Sequence, residues 1–188
     1  MKYKFKTEPY GHQLEALKRS WDKEEFAYFM EMGTGKSKVL IDNIAVLYDR
    51  GKINAAIIIA PKGVYENWSG REIPTHLPDH VVHRVGVWNP NPTKKEKEKL
   101  LSLFDRTLDL KILVINVEAF STKKGVTFVD KFINTHFPLI AVDESTTIKN
   151  PKAQRTKNLL KLAVNCKYRR ILTGFPAVSY THLRAHET

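Results

Sequence analysis

Apolar residues along the chain fall into short runs, separated by longer stretches in which apolar and polar positions recur with helical spacing. Six runs read as strands: 26–30 (FAYFM), 55–60 (AAIIIA), 81–88 (VVHRVGVW), 111–117 (KILVINV), 138–143 (PLIAVD) and 169–174 (RRILTG). AAIIIA and PLIAV are apolar at every position, as parallel strands covered on both faces must be. The amphipathic stretches predict helices at 11–21, 36–50, 63–73, 94–105, 126–136 and 151–164. The fourth opens with Thr93 and Glu96 at capping-box spacing. The sixth has Pro151 in its first turn, where a missing N–H costs little.

Strand–helix repetition predicts an α/β fold, a mainly parallel sheet with right-handed crossovers and helices on both faces. Ligands of such sheets bind beyond the carboxyl ends of the strands. Two polar motifs follow directly on predicted strands there, GTGKS at 33–37 and DES at 143–145. Though far apart in the chain, they are expected on one edge of the sheet.

Composition narrows the setting. A chain of 188 residues suits one domain, and 42% hydrophobic residues supply a core. No apolar run approaches the ~20 residues of a membrane span, and the opening MKYKFKTEPY lacks the apolar segment of a secretory signal. The single cysteine, Cys166, excludes an internal disulfide and a cysteine-rich zinc site, which fits a reducing cytoplasm. The KKEKEK run at 94–99 reads as the solvated start of a helix. The net charge of +11 is unevenly spread. Between Ser145 and Ala177 stand Lys149, Lys152, Arg155, Lys157, Lys161, Lys167, Arg169 and Arg170, with no acid among them. Such a segment attracts phosphate backbones, and the same pattern also describes a solvated helix face.

The stretch FMEMGTGKSKVL, 29–40, ends as the phosphate-loop pattern G-x-x-x-x-G-K-[ST] does, with Gly35, Lys36 and Ser37. Met30 stands where the first glycine is expected. After a buried strand, the backbone of Gly33, Thr34 and Gly35 can wrap N–H groups around phosphates at a helix N-terminus. Lys36 would then reach the β- and γ-phosphates, and the Ser37 hydroxyl would ligate Mg²⁺. The alternative is a plain tight turn for which Gly33 and Gly35 supply positive φ. In PLIAVDESTTIKNP, two adjacent acids end an apolar strand, a costly arrangement unless they hold a metal or a proton. Asp143 would bind the Mg²⁺ shell, and Glu144 would orient and deprotonate an attacking water. A helix N-cap acid explains one of the two but not both.

The order of these motifs resembles the first RecA-like lobe of superfamily 2 helicases, the DEAD/DEAH-box class. Within that class it looks most like the Snf-type ATPases related to chromatin remodellers, a branch with many bacterial and phage-borne members. The resemblance runs from about Tyr10 to Ala177. That class commonly lacks the first glycine of the phosphate loop, so Met30 departs from the general pattern but not from the class. The resemblance implies ATP and Mg²⁺ as cofactors and DNA as partner, with RNA not distinguished. It also implies ATP hydrolysis coupled to movement on nucleic acid, and a second RecA-like lobe that supplies arginines to the transferring phosphoryl group.

Further segments match one by one. PYGHQ resembles the adenine-reading motif, which gives Gln13 the adenine edge; otherwise Gln13 is an ordinary exposed helix residue. IIAPKGVYENW resembles the Snf-type segment after the second strand, which puts Lys62 near the nucleic-acid backbone and makes Trp68 a packing residue. VINVEAF resembles the motif that approaches the tracked strand, and IKNP is characteristic of the Snf-type branch. ILTGFPA resembles the motif that couples hydrolysis to nucleic-acid grip, around Thr173 and Gly174, with Phe175 replacing threonine. Ser145 and Thr146 follow the acids where the class has Ala-His or similar. Thr146 hydrogen-bonds less specifically than histidine, and the coupling geometry is altered there.

The last residues, VSYTHLRAHET at 178–188, do not continue the class pattern and back-translate to a transposase-type sequencing adapter. The expectation is a native lobe over 1–177, cut before its second lobe and inactive alone. Two other readings stay open: a different P-loop NTPase such as a small-molecule kinase, and a basic DNA-binding module with a vestigial nucleotide site. The first does not account for PYGHQ, IKNP and LTG together.

Overall fold

In the computed structural model, which describes residues 3–144, 148 and 150–174, the run AAIIIA becomes β2 (Ala55–Ala60) and is buried throughout. Its side chains alternate between two cores. Ala56, Ile58 and Ala60 enter one, and Ala55, Ile57 and Ile59 the other. β4 (Leu110–Asn116) and β5 (Pro138–Asp143) divide their apolar residues in the same way. With β1 (Glu25–Phe29), β3 (His83–Val87) and β6 (Tyr168–Thr173) they form one all-parallel sheet in the order β1-β6-β5-β2-β4-β3. The α/β fold read from the pattern is the observed one, and each strand lies on its expected run.

Helices α1 (Gly11–Ser20) and α2 (Lys36–Asp49) cover the first core, joined by the broken helix after β2. α5 (Lys94–Ser102), α6 (Lys123–Thr135) and α7 (Gln154–Ala163) cover the second, together with a 3₁₀ turn at Val117–Ser121. The capping box of α5 forms as expected: Thr93 Oγ1 accepts from the Glu96 N–H at 3.3 Å, and Glu96 Oε2 accepts from the Thr93 N–H at 2.7 Å.

Three expected helices need correction. The stretch expected at 63–73 is α3 (Tyr65–Asn67), a π-helical turn (Trp68–Glu72) and α4 (Ile73–His76). Pro74 has no N–H for the preceding turn, and the chain widens just before it, with the Ile73 N–H bonding to Trp68 O. α6 starts at Lys123, ahead of the expected 126, because Thr122 caps it by accepting from the Gly125 N–H. A Cβ on Gly125 would lie 2.3 Å from Ala119 O, so that turn needs glycine. α7 starts only at Gln154, which leaves Pro151 in the turn before the helix and not in its first turn.

An N-terminal strap closes over α2. Lys38 and Asp42, one turn apart and buried, pair at 2.8 Å; Tyr3 donates its hydroxyl to Asp42, and Lys38 donates to Thr7 O. Cys166 is buried, and burial pushes its thiol up to about 12. Among the described residues no helix is long and apolar enough to cross a membrane. Thr146 and the segment 175–188, and with them the expectations placed there, lie outside the described residues.

Candidate active site

Pairing with β6 continues one hydrogen bond past the end of β1. Phe29 pairs with Thr173, and the Met30 N–H donates to Thr173 O at 3.3 Å, so position 30 still has strand pairing and no need of glycine. The turn proper uses the next glycines, Gly33 at φ 78° and Gly35 at φ 84°. Gly35 then caps α2. A side chain there would be strained, and its Cβ would lie 2.3 Å from Gln13 Nε2. The positive φ foreseen for a plain turn is therefore present, and it is also what opens the loop at a helix N-terminus. Ser37 follows in the first turn of α2, half-buried. Lys36 Nζ turns back across the loop to Met30 O at 2.8 Å and Glu31 O at 3.0 Å.

Gln13 is not an exposed helix residue. It is 5% exposed, its Nε2 donates to Thr34 O at 3.0 Å, and its Oε1 accepts from the Tyr10 N–H at 3.0 Å. His12 Nε2 reaches the same Thr34 carbonyl at 3.0 Å, and its ring stacks with the exposed Tyr10. α1 is thus tied to the loop by two side chains, only one of which the sequence had marked.

The acids lie at the end of β5. β6 separates β5 from β1, with Asp143 in register with Leu172 and Phe29 with Thr173. The loop, the end of β6 and the acids thus share one edge of the sheet, as expected for the loop and the acids from their places after strands. Burial raises the pKa of Asp143; an N–H from Trp68 opposes this, Glu144's charge adds to it, and Lys36's charge opposes it. Glu144 sits at φ 51°, a left-handed conformation uncommon for a side-chain-bearing residue and concentrated at functional positions. Thr173 is fully buried, and a Cβ on Gly174 would come within 3.4 Å of the Met32 side chain and 3.8 Å of Met30 O.

The donor set suits Mg²⁺. Asp143 and Ser37 offer oxygen only, and among the described residues no three His, Cys, Asp or Glu side chains converge into a protein cage. A hard cation completed by ligand phosphates fits that set.

Residues 22–183 match the SNF2-related domain family. The chain belongs to that family. It is 26% identical over 149 residues to the SNF2 domain-containing protein ENL1 of Oryza sativa subsp. japonica, covering 78% of this chain and 14% of that protein. To the ATP-dependent helicase FUN30 of Saccharomyces cerevisiae it is likewise 26% identical over 149 residues, 78% of this chain and 12% of the relative. The chain thus spans a small part of these relatives' length. Among solved structures, the SWI2/SNF2 ATPase core of Sulfolobus solfataricus in complex with dsDNA superposes with a TM-score of 0.69 at 20% identity, over 93% of this chain and 33% of that one. The UvsW helicase from bacteriophage T4 gives 0.62 at 13% identity, over 89% of this chain and 53% of that one.

This SNF2-related domain spends its positive charge differently from the expectation. Arg170 is 1% exposed and belongs to the core. Its guanidinium donates to Asn43 Oδ1 of α2 at 2.8 Å and to the carbonyls of Ser20, Lys23 and Glu24. Arg169 pairs with Glu25 at 2.9 Å and Lys167 with Glu24 at 3.5 Å. Lys149 lies outside the described residues. What remains of the run is Lys152, Arg155, Lys157 and Lys161, on α7 and just before it. Lys62 is exposed two residues beyond β2, whose Ile59 is in register with Val142 of β5. Trp68 is 2% exposed, the packing residue expected, and its Nε1–H also donates to Asp143 Oδ2 at 3.0 Å.

Proposed function

We propose that this SNF2-related domain is the ATP-binding lobe of a motor that hydrolyses ATP to move along DNA. The observation that carries the reading is the arrangement of the C-terminal strand ends. A glycine loop with Lys36 and Ser37 stands on β1, an acid pair on β5, and the strand bearing Thr173 and Gly174 between them. Lys36 takes the β- and γ-phosphates, Gly33 to Gly35 turn backbone N–H groups toward them, and Ser37 with Asp143 holds Mg²⁺. The metal, when bound, neutralises charge on the phosphates. Glu144 orients the attacking water and accepts its proton. Gln13 meets the adenine edge, supported by the bond that holds α1 to Thr34 O. Thr173, Gly174 and Thr146 pass the state of the site to the nucleic-acid grip, supported for Thr173 by its pairing with Phe29 and Met30, just before the loop. A second RecA-like lobe completes the site with arginine, and the setting is the cytoplasm of a bacterium or of a phage host.

Replacing Lys36 with alanine removes a charge-assisted phosphate contact worth about 1.5–3 kcal/mol. The expected result is ATP affinity lowered by roughly 10- to 100-fold in calorimetry with Mg²⁺ present. Equal affinity in the two chains would end the assignment.

The nucleic-acid face is proposed to run from Lys62 toward the exposed lysines of α7, touching phosphates and not bases. Affinity for a DNA duplex is then expected to fall linearly in log–log form with added salt, and Lys62→Ala is expected to flatten that slope by about one ion. Binding indifferent to salt would contradict this face, and Arg170, being buried, is expected to contribute nothing to it.

A further inference from the structure

We propose that Trp68 is a positioning residue, whose indole N–H sets the Asp143 carboxylate in the orientation that receives Mg²⁺ beside a bound nucleotide. This rests on the nucleotide-site reading above and adds to it a residue from outside both the phosphate loop and the acid pair.

The geometry is specific. The indole can only donate, and its Nε1 lies 3.0 Å from Asp143 Oδ2. A second donor to the same carboxylate is the backbone N–H of Glu144. Two donors from different elements fix the rotation of a short side chain that would otherwise turn freely about its bonds. The ring cannot follow a moving carboxylate, because Trp68 is among the largest fully buried side chains and packs in the first core. Its backbone is set as well: Trp68 opens the π-helical turn, a widening that recurs at functional positions. A buried indole N–H always needs an acceptor, and a neighbouring carbonyl would serve for packing alone. Here the acceptor is the carboxylate of Asp143, the first of the two acids at the end of β5. Partners of this kind orient metal-binding carboxylates generally. The route matters too. Trp68 lies six residues beyond the exposed Lys62, on the segment that leaves β2, so the proposed nucleic-acid segment ends on the metal carboxylate.

The test is calorimetric titration of ATP onto the 188-residue chain, with Mg²⁺ and with EDTA, comparing the parent with two replacements of Trp68. Trp68→Phe keeps an aromatic ring, and its folding is checked by thermal unfolding. Replacement by 3-benzothienylalanine keeps the bicyclic shape but puts sulfur where the N–H was, so it isolates the donor. The expected result is unchanged affinity in EDTA and a magnesium-dependent gain reduced roughly 10-fold or more. In an Asp143→Ala background, replacing Trp68 is expected to change nothing further. If the benzothienyl chain keeps the parent's gain, or loses affinity equally with and without Mg²⁺, the positioning role is overturned and the nucleotide site stands. A parent chain with no magnesium-dependent binding overturns both.

Discussion

Glu144→Gln, made in a chain that carries this lobe and the second lobe proposed for it, is expected to bind ATP as tightly as the parent and to turn it over roughly 10²–10⁴-fold more slowly. The amide keeps the size and hydrogen-bonding reach of the carboxylate but cannot accept the proton of the attacking water. Backbone strain does not confound the comparison. Glu144 sits at φ 51°, and glutamine meets the same left-handed cost as glutamate. Asp143→Ala is the contrasting change, since it should weaken the response to Mg²⁺ and not the proton transfer alone. Equilibrium binding measured beside single-turnover hydrolysis separates the two. Hydrolysis by Glu144→Gln at the parent rate would remove Glu144 from the role of base.

The second large effect is on stability. Arg170→Met is expected to lower the unfolding free energy by roughly 3–5 kcal/mol, because each buried acceptor left without a donor costs about 1–3 kcal/mol. Arg170 serves Asn43 and four main-chain carbonyls in a fully buried position. Its neighbour makes the control. Arg169 pairs with Glu25 at the partly solvated edge of the sheet, and Arg169→Met should cost about 1 kcal/mol or less. Urea unfolding of the two variants reads the difference directly. Similar losses from both would mean that the buried guanidinium is not what joins β6 to α2.

Those two arginines also mark where sequence reading stops. Period two in a strand says that adjacent residues face opposite ways, and Arg169 and Arg170 do. Nothing in RRILTG says which one goes inward, because the acceptor that decides it, Asn43, is 127 residues earlier. The strands themselves were legible, since a parallel sheet covered on both sides demands uninterrupted apolar runs, and few other structures do. The shared edge of GTGKS and DES was legible for the same reason: both motifs follow such runs. Trp68 was half legible. Its bulk announced packing, but its bond to Asp143 depends on the register of β2 against β5 and on a π-helical turn, neither of which has a signature in local spacing. Gln13 was expected at an adenine edge, and in the structure its amide meets the loop carbonyl of Thr34. The start of α6 shifted because a cap, Thr122, overruled the periodicity.

The strand order has a consequence for how the protein is made. Among the described strands β1 has one partner, β6, and Glu25 pairs with a residue 144 positions later. β2, β3, β4 and β5 can assemble among themselves once residue 143 has been synthesised. The strand leading into the phosphate loop cannot join them until residues 168–173 have left the ribosome and slotted in between. Such distant closure slows folding, and it keeps an unpaired strand exposed to aggregation meanwhile. On the proposed nucleotide-site reading, ATP would recognise only the finished sheet, and nucleotide capture by a nascent chain would report the closure of that sheet.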